Sequence, residues 1–153
     1  MMVDMWPVWI ERSVAVYLGS FLKTSNPTYA VELQSNVPPA APKSTRFELR
    51  IDGPYGAPQV NNEWSLKLEI NVLLTTKVSD GHNSGFHKSL SGLVARALSG
   101  SIELKKYGET VETSLGVLRL GRVVSSYLGR VELSMPIEQS AIEVPATIEL
   151  TGE

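Results

Sequence analysis

Side chains able to do chemistry are few in this chain. Its two histidines, His82 and His87, follow Asp80 in a D-x-H-x4-H pattern, and nitrogen and carboxylate ligands of that kind can hold zinc. A closed structural site needs a fourth ligand, however, and no cysteine or second carboxylate stands at ligand spacing. The cluster also sits in a run of Gly, Ser and Asn. It reads as a polar loop entering a helix, with no metal and no cofactor.

Cysteine is absent altogether. That removes disulfides, thiolate ligands and a cysteine nucleophile together, and it fits a reducing compartment. The motifs that wrap backbone amides or a nucleophile around a substrate are missing as well: there is no G-x-S-x-G, P-loop, H-E-x-x-H or dinucleotide fingerprint. Glu48, Glu69, Glu103 and Glu132 fall at alternating positions of predicted strands, where carboxylates meet water and cross-strand Lys or Arg. The expectation is therefore no catalytic residue and no enzyme. With 14 basic against 16 acidic residues and a net charge of -2, no basic stripe is available to neutralise phosphates. The apolar stretch from Ser13 to Leu22 is too short to span a bilayer and lacks the flanks of a signal peptide. The chain reads as a soluble domain made in the cytosol.

At 153 residues one domain covering 1–153 is expected, large enough to bury a real core. Ile10, Val14, Tyr17, Leu18, Phe21 and Leu22 recur at helical spacing, and Ser25-Asn26-Pro27 stops that helix near Lys23. The period then drops to two. Tyr29, Val31 and Leu33 form one half-buried strand, followed by a proline-rich loop over Asn36 to Lys43. Phe47, Leu49 and Ile51 form another, ending where Asp52-Gly53-Pro54 predicts a turn. Phe86, Leu90, Leu93, Val94, Ala97 and Leu98 mark a second helix, with Ser84 as N-cap and Gly100 as stop. Strands over Ile102–Tyr107, Leu115–Val124, Tyr127–Met135 and Ile142–Leu150 complete the chain. Their connections are too short for crossover helices, which predicts an α+β fold: a mostly antiparallel sheet with two helices on one face.

The most regular segment runs from Trp64 to Thr76, with Trp64, Leu66, Leu68, Ile70, Val72 and Leu74 alternating against polar residues and Leu73. A strand of that length reaches on the order of 40 Å, whereas a globule this size has a radius of gyration of about 15 Å. A long β-hairpin projecting from the body is predicted, with more edge than one subunit can use. The loop from Lys77 to Gly85 has almost nothing apolar to offset its ordering entropy and is expected to be mobile. Trp6 and Trp9, with Met1, Met2 and Met5, make an apolar N-terminus of the composition that cores and interfaces share. Tyr55 in the Pro/Gly turn is similar. Candidates for contact with other subunits are thus Trp6, Trp9, Tyr55, Trp64, Leu73, His82 and His87.

The order of elements, together with F-E-L-R-I-D-G-P (Phe47 to Pro54), W-S-L-K-L-E-I-N-V-L-L (Trp64 to Leu74) and H-K-S-L-S-G-L-V (His87 to Val94), resembles tail terminator proteins of long-tailed bacteriophages over most of the chain. That resemblance implies a structural virion protein: a hexameric ring that caps the tail tube, ends its growth and offers a docking face to the head-side connector. Its partners would be copies of itself, the tail tube protein and the connector, with DNA passing through the lumen without specific binding, and it brings no catalytic residues. Neck subunits at the head–tail junction are similar at this level. A reading from a different class is a small ligand-binding β-rich domain or an unfamiliar enzyme, which requires an apolar cavity with converging polar groups inside one subunit.

Overall fold

The computed structural model describes residues 6–33, 45–58, 64–77, 84–106, 113–131 and 137–150. Asp80, His82, Met1, Met2, Met5 and most of the loop expected to be mobile lie outside the described residues. So do the side chains of Trp6, Tyr55, Trp64 and Ser84.

Two helices and seven strands form an α+β fold: α1 (Trp6–Lys23), β1 (Val31–Leu33), β2 (Thr45–Pro58), β3 (Trp64–Lys77), α2 (Ser84–Ala97), β4 (Ser101–Lys106), β5 (Thr113–Leu120), β6 (Val124–Val131) and β7 (Ile137–Leu150). The sheet order is β1-β2-β3-β7-β5-β4, with β6 paired to β7 off that path. Among the described residues only the β1–β2 pair is parallel; the others are antiparallel.

Alternation decides which face is inside. Leu68, Ile70, Val72 and Leu74 of β3 share a buried face with Ile142, Val144, Ala146 and Ile148 of β7, to which they pair directly. Ile10, Val14, Leu18 and Leu22, one turn apart on α1, and Leu90, Val94, Ala97 and Leu98 of α2 close over that face in a single core. Burying each Leu, Ile or Val among them contributes roughly 1.5–3 kcal/mol. Tyr17 donates its hydroxyl hydrogen to the Ala97 carbonyl at 2.8 Å, tying the helices together.

α1 touches both β1 and β4, the two ends of the strand path, so the sheet curls around it. At the β4 end the Lys105 N–H donates to Ser13 Oγ at 3.0 Å, which satisfies a backbone donor facing away from β5. In β7, Pro145 stands inside a strand that has neighbours on both sides. Residue N and C=O groups point to the same edge of a strand, and the Pro145 carbonyl accepts from Gly121 N at 2.7 Å. The missing N–H therefore falls where β5 ends and β6 begins, the one place on that edge where no ladder donor is needed.

Several boundaries differ from the sequence expectation. Trp6 and Trp9 lie within α1, and Trp9 belongs to the core. The Asp52-Gly53-Pro54 stretch does not end its strand: β2 passes through it with a register shift, Gly53 taking φ 106. The break between the next strands falls at Gly121–Val123 rather than after Val124, and β7 begins five residues earlier than Ile142, at Ile137. Most consequentially, β3 is continuous as expected but has no spare edge. β2 pairs with it from Trp64 to Thr76 and β7 from Leu66 to Lys77. The sequence shows a long strand but not which later strand will cover it.

Candidate functional site

The buried face shared by β3 and β7 changes character at one end. Beyond Leu74 and Ile142 its next inward positions are Thr76, Ser140 and Glu138, all buried. α2 brings His87 there from its first turn. His87 is 1% exposed, with Nδ1 at 2.8 Å from Thr76 Oγ1 and Nε2 at 2.7 Å from Ser140 Oγ. Its ring meets Tyr127 of β6 edge-on, centroids 5.8 Å apart, and the Tyr127 hydroxyl donates weakly to Glu138 Oε2 at 3.4 Å. Burial pushes the His87 pKa below the ordinary histidine value, and the nearby Glu138 carboxylate opposes that shift without reversing it.

A hydroxyl on one imidazole nitrogen has the geometry of an activated serine. Two things argue against that use. The other nitrogen faces a threonine hydroxyl rather than a carboxylate that could stabilise an imidazolium. Ser140 is also only 3% exposed, leaving a substrate no approach. What the arrangement can do is hold one proton in one of two ways. Among the described residues no group of three or more His, Asp or Glu is placed to hold a metal ion.

β6 borders this cluster. Among the described residues it pairs with β7 alone, and Val124, Tyr127 and Leu128 are each just over half exposed. Ser125 and Ser126 between them carry no charge, and a register shift falls between Tyr127 and Gly129. Edge strands are commonly guarded by charge, proline or a bulge; from Val123 to Gly129 charge and proline are both missing and the register shift is the guard that stands there. A second uncovered stretch lies on β2. β1 pairs with it only at Phe47 to Leu49, so from Arg50 to Pro58 its outer edge has no partner among the described residues. That stretch is guarded, by Pro54, Pro58 and the irregularity at Gly53.

The sheet face away from the helices is charged. Arg46 bridges Glu32 at 2.8 Å and Glu48 at 3.4 Å, and Asp52 receives Arg50 at 3.2 Å and Asn71 at 2.7 Å. Glu48 thus has a basic neighbour, as the strand pattern predicts. Leu73 pairs with Ala141 on this face and is half-buried at the floor of a shallow cleft rimmed by Glu48, Arg50, Asn71 and Glu143. Two larger grooves of about 450 Å³, one between α2 and the turn after α1 and one between α1 and β4, open on the surface.

Of the sequence-derived candidates, Trp9 and His87 are enclosed by their own subunit and Leu73 lies in the charged face. Tyr55 and Trp64 sit on the distal part of the β2–β3 hairpin, and Trp6 begins α1. Among the described side chains, Leu73 lies on the sheet face opposite to His87. Sequence reasoning missed Thr76, Glu138, Ser140 and the β6 trio. Extending the alternation of β7 back to Ile137 would have placed Glu138 and Ser140 inward. The β6 trio reads as strand, Val124 ending one and Tyr127 and Leu128 opening the next, but V-S-S-Y-L has no clean period to show which face or edge they take.

No family model matches the chain, and no curated protein matches it. Six solved chains do. One, whose name states no function, covers 100% of this chain and 99% of its own length at TM-score 0.57 and 13% identity. Such a likeness concerns fold alone.

Proposed function

We propose that this chain is a non-catalytic structural subunit that assembles with copies of itself, acting as a tail terminator: a hexameric ring capping the tail tube of a long-tailed phage and joining it to the head-side connector. In this reading its final location is the virion tail or neck. The observation that carries it is the outer edge of β6, exposed at Val124, Tyr127 and Leu128 and free of charge and proline from Val123 to Gly129. A ring is built from heterologous contacts in which one patch meets a different patch on the next copy. β6 offers one such patch, since exposed strand edges are common docking elements. The resemblance of element order and local strings to tail terminators supplies the rest. Among the described residues no helix is long and apolar enough to cross a membrane, which is compatible with this location.

The test is mass measurement and negative-stain microscopy of the purified protein, alone and with tail tube subunits. Six-membered rings, free or on tube ends, are expected. A protein that stays monomeric with tube protein present would overturn the proposal, and binding to the connector without the tube would reassign the chain to the neck.

A further inference from the structure

The His87 cluster joins elements that are distant in sequence, and their hydrogen bonding depends on one proton. A neutral imidazole has one N–H donor and one bare nitrogen acceptor. Here one hydroxyl of the Thr76/Ser140 pair accepts from the ring and the other donates to it. Adding a proton makes both nitrogens donors, so the hydroxyl that pointed its hydrogen at the ring must turn away. A charge is also placed in a site closed to water.

We propose that His87 is a proton-operated latch: neutral, it clamps the first turn of α2 to β3 and β7 and backs β6 through Tyr127; protonated, it lets β6 and that end of α2 loosen while the β2–β3–β7 ladder stays closed. The strands differ in what else holds them. β3 and β7 are paired to each other from Leu66–Ile148 to Lys77–Ile137 and share the apolar core, whereas β6 has, among the described residues, one partner strand and a register shift beside Tyr127. Local opening follows the segment with least burial.

The groups facing His87 are Thr76 from β3, Ser140 and Glu138 from β7, and Tyr127 from β6; Lys88 on its own helix is exposed. Glu138 is the one carboxylate named among them, and its charge favours the imidazolium. Burial outweighs it. Because the folded pKa is depressed, the loosened form takes up the proton more readily. The clamp is complete above the ordinary histidine value of about 6.5 and weakens as pH falls through it toward the folded value.

Having only two histidines makes the test clean, since carboxylates titrate mainly below about pH 5. Amide hydrogen exchange, corrected for its intrinsic pH dependence, would be followed by NMR on the full chain between pH 7.5 and 5.5, alongside the ring signals of His82 and His87. Protection of Ser125 to Tyr127 and of His87 to Leu90 should fall severalfold relative to Ile70 to Leu74, approaching but not exceeding the roughly tenfold ceiling that one histidine of ordinary value about 6.5 sets between those pH values. The His87→Gln variant should lose this pH response, whereas His82→Ala should keep it. Should His87→Gln fail to fold, the wild-type ring titration and His82→Ala decide the matter. A uniform loss of protection, no loss, a response surviving in His87→Gln, or a His87 ring titrating at or above the ordinary value would each overturn the latch.

Discussion

β3 and β6 are built from the same backbone geometry and meet opposite fates. β3 has six apolar residues at strict alternate positions, and both its edges are used by its own chain. β6 carries serines at its second and third positions, where the sequence predicts a break between strands, and its outer edge has no partner among the described residues. Hydrophobic alternation reports how much burial a strand demands, and the chain meets a large demand from within. A strand with a modest demand can be left at the side, where another molecule can reach it.

The contrast breaks most visibly at its buried member. Ile70→Ala removes a fully buried side chain from β3, and a loss of about 2–5 kcal/mol is expected, read as a lowered denaturant midpoint. A cost below that would mean β3 is not the interior strand. Gly121→Ala probes the corner that separates β5 from β6. A Cβ there would stand 3.1 Å from both the Pro145 ring and the Pro145 carbonyl oxygen. Neither can move without disturbing β7, so crowding should cost about 1–3 kcal/mol, and a neutral outcome would show that the corner yields. The smallest effect on folding belongs to β6 itself. Val124→Lys with Leu128→Lys should change the stability of the isolated subunit by less than about 0.5 kcal/mol per site. If copies associate through this edge, the same pair should shift sedimentation from assembled to single subunits, and rings persisting unchanged would remove β6 from the interface.

The layer arrangement, both helices and the inward faces of β2, β3 and the second half of β7 were legible in the sequence, because period and burial are the same physical fact seen twice. Strand order was not. Nothing in Trp64 to Thr76 says that Ile137 to Ile148 will cover its second edge, since that pairing closes a long loop and leaves no local mark. The polar cluster was half legible: His87 stood out by residue type, but its partners are ordinary hydroxyls whose meaning appears only once β3, β7 and α2 converge. Asp52-Gly53-Pro54 misled because a bulge within a strand and a turn at its end call for the same residues.

That α1 lies against both the first and the last strand of the sheet path has a bearing on how the chain is made. Residues 6–23 leave the ribosome long before β4 exists, so the helix that packs against both end strands waits, already synthesised, for them to arrive. A growing chain thus lays down its last strands with their packing partner at hand.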